Sequence, residues 1–205
     1  MSCDEKTGMQ ALECIAPTKP TQPGQLEKRE FEYERHGTLC LTANLNVATG
    51  EVMMPTLGPT RTEEDFARHI QNTVASDPEA GWVIVADNLN THVSESLVRW
   101  VAGHEELDVD LGKKGVRGIL ENMDSRRAFL MDARHSVRFV FTPKHCSWLN
   151  QVEIWFSILA RRALSRASFT SLEHLGKAVL EFIDYYNSVL AKPFKWTYTG
   201  KLLSL

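Results

Sequence analysis

The chain has few cysteines, no long apolar run and almost no net charge, and each shortage removes a class of function. Its four cysteines, Cys3, Cys14, Cys40 and Cys146, include no C-x-x-C pair. Metal clips and dithiol redox motifs need closer spacing, so reduced, partly buried thiols are the reading. No stretch approaches the roughly 20 apolar residues of a membrane-spanning helix. The opening MSCDEKTGMQ lacks the pattern of a secretory signal, so a cytoplasmic protein is expected. No internal repeat and no low-complexity tract is present. The net charge of −3 gives no overall sign of nucleic-acid binding.

The distribution of that charge says more. Lys113–Arg166 holds 11 Lys and Arg against four Asp and Glu, so the rest of the chain is strongly acidic. Such a segment is a candidate phosphate-binding surface, although solvated helix faces produce the same count. With 205 residues, 43% of them apolar and 24% charged, the chain has material for one large domain with a real core.

Residues 17–36 are Pro-rich and then charged, and read as an irregular surface segment. TLCLTANLNV (38–47) and EVMMPTL (51–57), joined by the turn ATG, read as a hairpin. Thr62 to about Ser76 is predicted helical, with Thr62-x-x-Asp65 as a capping box and Phe66, Ile70 and Val74 on one face. Trp82–Ala86 reads as a strand buried on both faces. A helix follows from Ser94 to Ala102, and a Gly-dotted, charged insertion spans about 103–136, with one helix near Arg126–Leu130. Val137–Pro143 is a strand, Leu149–Ser165 a helix, and a last helix starts at the capping box Thr170-x-x-Glu173. Strands alternating with helices after a hairpin predict an α/β fold: a mixed sheet with helices packed against it. Ligands in such sheets gather at the carboxyl ends of strands.

Asp87 stands at such an end. It is equally suited to cap the following NLNTH turn or to bind a metal. Glu153 falls at the edge of the apolar stripe Val152, Trp155, Phe156, Leu159 and Ala163, where an acid reaches a cleft while its helix stays docked. The alternative is a capping box, Asn150-x-x-Glu153. Asp4 follows a possible stub of a strand, in a segment that disorder would equally explain. His92 reads as a polar turn residue or a ligand, and Trp148 and Trp155 as packing residues before stacking platforms. Carboxylates sharing a partly buried cleft repel one another unless something positive stands between them. Oxygen-bound Mg²⁺ or Mn²⁺ meets that need, and a pair of such ions suits phosphodiester chemistry.

DEKTGMQALE (4–13), VADNLNTH (85–92), FTPKHCSWLNQVEIWFS (141–157) and YYNSVLAKPFKWTYTG (185–200), in this order, resemble bacterial insertion-sequence transposases of the mariner-like DDE type. The resemblance spans nearly the whole chain. It implies one RNase H-like catalytic domain over residues 1–205, interrupted by the 103–136 insertion, with Asp4, Asp87 and Glu153 as the catalytic acids. By the same resemblance the acids hold two Mg²⁺ ions, which Mn²⁺ replaces. The implied reaction is DNA cleavage at transposon ends and strand transfer into target DNA, commonly at TA dinucleotides. The implied assembly is a homodimer on DNA, in the bacterial cytoplasm at the nucleoid. Lys144, Arg161 and Arg162 are the expected DNA-phosphate contacts, with His92 and Asn150 as possible supports.

Two departures stand out. The chain begins three residues before Asp4, so the expectation is a first core strand trimmed to a stub and no N-terminal helix-turn-helix domain of the kind such proteins carry. Between Asp87 and Glu153 lie 65 residues, a wider interval than is usual in much of that group; the expectation is that 103–136 loops out. Two other functions compete: an inactive remnant or repurposed DNA-binding module, and a different RNase H-like nuclease acting on branched or hybrid substrates.

Overall fold

The computed structural model describes residues 1–16, 19–27, 32–144, 146–165 and 167–195. Parts of the 17–36 segment, Arg166 of the basic segment, and the end of the YYNSVLAKPFKWTYTG motif lie outside the described residues. Five strands form one sheet in the order β3-β2-β1-β4-β5. They are β1 (Ser2–Cys14), β2 (Tyr33–Leu45), β3 (Val52–Gly58), β4 (Trp82–Ala86) and β5 (Val137–Phe141). β1 to β3 form an antiparallel meander, while β4 runs parallel to both β1 and β5. The helices α1 (Glu63–Ala75), α2 (Glu95–His104) and α3 (Met123–Leu130) build one core with Cys3, Ile84 and Phe139. The helices α4 (Val152–Leu159) and α5 (Leu172–Tyr185) build a second core with Leu41, Ala43 and Leu45. This mixed sheet flanked by helices is consistent with the expected RNase H-like fold. Among the described residues, no helix is long and apolar enough to cross a membrane.

Local signals explain much of this. Thr62 caps α1 through a complete capping box with Asp65, and Phe66, Ile70 and Val74 are buried as the 3.6-residue period requires. Along β2 the period is 2: Leu41, Ala43 and Leu45 face α4 and α5, and the buried Asn44 faces α1. There Asn44 Nδ2 contacts His69 Nε2 (2.8 Å) and donates to Thr73 Oγ1 (2.8 Å). Burial pushes the His69 imidazole down to about 4, so it is neutral at physiological pH.

Several expectations need correction. The first strand is no stub: β1 is 13 residues long and pairs with β2 along its length. A bulge between Lys6 and Met9 reverses its alternation, with Gly8 at φ +67°. As a result Ser2 and Asp4 before the bulge, and Met9 and Ala11 after it, all face the α4 side. β2 begins at Tyr33, inside the segment read as irregular. β4 is not buried on both faces, since Val83 is 38% exposed. The last helix is capped by Ser171, whose hydroxyl accepts from the His174 amide, rather than by Thr170. The helix after β5 passes into π-helical turns at Ala160–Leu164. All four cysteines are free, and Cys14 is exposed.

The 103–136 insertion does not loop out. Leu120 and Leu130 are fully buried in the core under α1 and α2. Arg126, counted among the basic residues, turns inward and donates to the Val93 carbonyl (2.7 Å) and the Leu120 carbonyl (3.0 Å). Arg117, Arg134 and Lys114 are spent on ion pairs with Asp110, Asp132 and Glu63. The basic excess of this segment is therefore not one continuous phosphate surface.

The π-helical turn that follows α5, Tyr186–Leu190, is fastened to the hairpin. Asn187 exchanges two 2.8 Å hydrogen bonds with the backbone of Val52. Gly50, at φ +80°, lies so close that an added Cβ would stand 2.1 Å from the Lys192 carbonyl oxygen. Gly50→Ala is therefore expected to destabilise the fold by about 1–3 kcal/mol, read as a lowered urea midpoint. An unchanged midpoint would show that this contact carries no weight.

Candidate active site

Two parallel strands bring the first two acids together. Ser2 pairs with Val85, so Asp4 and Asp87, each two residues further along, occupy equivalent positions on neighbouring strands. Adjacent strands lie about 4.8 Å apart, and the ligand atoms of Asp4, Asp87 and His92 all fall within 4.8 Å of one another. Glu153, in the first turn of α4, does not join that group. It stands close enough for the charges of Lys6 and Asp87 to act on it in opposite directions.

Asp4 is 6% exposed. Its Oδ1 accepts from the Glu5 amide (2.8 Å) and its Oδ2 from Asn150 Nδ2 (3.2 Å). Asn150, fully buried, also donates to the Cys3 carbonyl (2.8 Å) and accepts from the Ser2 hydroxyl. Ser2 Oγ in turn accepts from the Val152 amide (2.8 Å). This knot binds the start of α4 to β1. It also resolves one alternative: the Asn150 side chain makes no capping bond, so Glu153 is not half of a capping box. Asp87 caps the turn that follows it and also reaches His92. Its Oδ1 accepts from the Leu89 amide (2.9 Å), closing the turn, and also meets His92 Nδ1 at 2.7 Å.

His92 is completely buried, its ring against Phe66 at 4.2 Å. Its Nε2 contacts Glu5 Oε2 at 2.7 Å. The Nδ1 contact with Asp87 is an ion pair rather than an aligned hydrogen bond. Burial alone would lower the His92 pKa, but the contacts with Asp87 and Glu5 outweigh it and raise it to about 10. The ring is thus an imidazolium with both nitrogens facing carboxylates, a counter-ion and not a metal ligand in this state. Glu5 has no motif of its own. Its side chain is 2% exposed and its Oε1 has no hydrogen-bond partner among the described residues. Sequence reasoning missed it, and the one signal was an acid directly beside Asp4, which a strand turns to the opposite face.

The remaining acids divide by environment. Burial, chiefly, pushes Asp4 up to about 7, with the Asp87 and Glu5 charges adding to it and His92 opposing. Burial would raise Asp87 too, but His92, the Leu89 amide and Arg61 hold it below its ordinary value. Burial, then the Asp87 charge, raises Glu153. A pocket with more carboxylate than counter-charge and only oxygen donors free matches a hard divalent cation such as Mg²⁺.

The other expected residues lie apart from this cluster. Lys144 is exposed at the loop after β5, on a cleft of about 650 Å³ that Asp87 also lines. Arg161 and Arg162 sit in the π-helical turns after α4 and border a separate groove with Lys192. Trp155 is a core residue, whereas Trp148 is 51% exposed.

Compared with known protein families, residues 2–176 match the model of the DDE superfamily endonucleases. No curated protein matches the chain.

Two measurements probe this electrostatic arrangement. Replacing His92 by Ala strands the Asp87 and Glu5 carboxylates and is expected to cost about 3–5 kcal/mol in urea denaturation. Adding Glu5→Gln to that variant should return part of the loss; strictly additive losses would show that the triad is not coupled. The folded-state pKa of Asp4, about 7, lies above its ordinary 3.8, so its contribution to stability falls as pH rises between those values. With metal chelated, Asp4→Asn should melt several degrees above the parent at pH 8 and lose that advantage by about pH 4. Identical melting at both pH values would contradict the buried charge.

Proposed function

Since the chain belongs to the DDE superfamily endonuclease family, whose substrate is DNA, we propose that it is the catalytic domain of a mariner-like bacterial transposase. In this reading it cleaves transposon ends and transfers the strand to target DNA as a homodimer at the nucleoid. The observation that supports it most is the side-by-side placement of Asp4 and Asp87 in equivalent register, with Glu153 within electrostatic reach.

Asp4, Asp87 and Glu153 would hold divalent ions, two Mg²⁺ or Mn²⁺, which when bound supply Lewis-acid stabilisation of attacking and leaving oxygens. The chain's own residues prepare that site. Asn150 and the Glu5 amide fix the two Asp4 oxygens. His92 and the Leu89 amide hold Asp87 ionised and in place. The Ser2 hydroxyl anchors the first turn of α4, from which Glu153 projects. Arg161 and Arg162, with Lys144, are proposed contacts to DNA phosphates. Arg117, Arg134 and Lys114 are ion-paired and do not line the cleft beside Asp87, which makes them poorer candidates for that work.

Nicking of supercoiled plasmid with Mn²⁺ or Mg²⁺ tests the reading. The parent should nick, and Asp87→Asn should reduce nicking by about a hundredfold or more with an unchanged circular dichroism spectrum. A parent that binds DNA in a salt-dependent way but never nicks is instead a remnant or binding module, and a variant that nicks like the parent removes Asp87 from the mechanism.

A further inference from the structure

The cleft of about 650 Å³ beside Asp87 belongs to neither the acid cluster nor the groove by Arg161 and Arg162. Asp4 and Glu153 do not line it, and Asp87 is the one acid of the cluster that does. It opens at the carboxyl ends of two adjacent parallel strands, β4 and β5, where sheet proteins of this kind present ligands. Its floor is held rigid. The Thr142 amide donates to the Ala86 carbonyl (2.9 Å), and the Asn88 side-chain amide donates to the Thr142 carbonyl. Its far wall is α3, the helix of the 103–136 insertion, through Met123, Asp124 and Arg127.

Three polar groups converge on this space. Arg127 is pre-set: its Nη1 donates to Asp124 Oδ1 at 2.9 Å, and its guanidinium carbon lies 5.8 Å from the Phe141 ring centroid. Asp124, 91% exposed at its side chain, holds Arg127 from the solvent side, and the buried Arg127 Nε has no acceptor among the described residues. Lys144, on the opposite lip, has no ion pair among the described residues. Thr142 is 7% exposed, and its Oγ1 has no hydrogen-bond partner among the described residues. A buried hydroxyl without a partner is uncommon and points to a ligand atom that completes it. The lining also carries the carboxylates of Asp87 and Asp124, the latter already paired with Arg127. The unpaired Lys144, the remaining N–H groups of Arg127 and the Thr142 hydroxyl, beside apolar Met123 and Pro143, match a sugar–phosphate: donors for the phosphate oxygens, apolar wall for the sugar.

We propose that this cleft is a nucleotide subsite, in which Arg127, Lys144 and Thr142 hold the sugar–phosphate of the strand that continues past the reacting phosphodiester. The insertion thereby supplies substrate binding, with Arg127 as its contact. The inference rests on the endonuclease reading for its substrate class.

The test is binding of a fluorescent single-stranded 20-nucleotide DNA by anisotropy, in Ca²⁺, across a salt series. Arg127→Gln and Lys144→Ala are each expected to weaken binding about tenfold and to reduce the log–log salt slope by roughly 0.7 per cation removed. Thr142→Val should weaken binding about threefold, leaving the slope unchanged because no charge is lost. Arg99→Ala, on the exposed face of α2 away from the cleft lining, should bind like the parent. Lys144 is exposed, so its variant keeps the test valid if Arg127→Gln fails to fold. Parental affinity and slope in folded Lys144→Ala and Thr142→Val overturn the subsite, as does a parent without salt-dependent binding. Binding that depends on Arg127 and Lys144 in a parent that never nicks leaves the subsite standing and overturns the endonuclease reading alone. Nicking by the parent with binding indifferent to these residues does the reverse.

Discussion

Two carboxylates placed side by side, Asp4 near the start of β1 and Asp87 just past the end of the neighbouring parallel strand β4, repel each other, and their surroundings are organised around that repulsion. The structure answers it asymmetrically. Asp87 receives the imidazolium of His92, an amide and the field of Arg61, and stays ionised. Asp4, buried more deeply and left with amide donors, is pushed up to about 7. Like charges in one pocket separate into one acid ionised below its ordinary range and one close to neutral. A divalent cation would remove the imbalance, which is why a site with only oxygen donors free and too little counter-charge reads as a metal site.

The counter-ion needs its own support. An imidazolium with no exposed surface is costly unless both nitrogens are matched, and Glu5 provides the second match from the opposite face of β1. Adjacent residues of a strand point to opposite sides of the sheet. Asp4 therefore faces α4 while Glu5 faces α1 and His92, and Asp87, beyond the end of its strand, reaches both. The Ser2–Asn150–Asp4 knot does the equivalent work on the α4 side. It fixes the first turn of the helix that carries Glu153, and the buried stripe of Val152, Trp155, Phe156 and Leu159 fixes the helix as a whole.

The segment 103–136 is part of the same construction. Leu120 and Leu130 anchor it in the core, and Arg126 ties it to the carbonyl of Val93, next to His92 in the turn after Asp87. Adjacent arginines thus serve opposite purposes: Arg126 is a structural rivet, and Arg127 faces the cleft. A surplus of positive charge along the sequence divides, in three dimensions, into inward bonds, surface ion pairs and a few cations left for a ligand.

By itself the sequence determined whatever depends on neighbours within a few residues. The capping box at Thr62, the strand Trp82–Ala86, the stripes of α1, α4 and α5 and the acids in their motifs were legible because helix and strand periods are local. The length of β1 was not, since the bulge at Gly8 breaks the alternation that marks a strand. Glu5 was invisible because its partner is 87 residues away. The choice between cap and ligand at Asp87 and Glu153 was undecidable locally, because one carboxylate suits either. Only the tertiary structure decided the length of β1, the partner of Glu5, the turn bond at Asp87 and the missing cap at Glu153, along with the inward turn of Arg126 and the cleft facing Arg127. Each depends on which distant backbone closes over a side chain and removes its water, and nothing in the spacing of the residues records that.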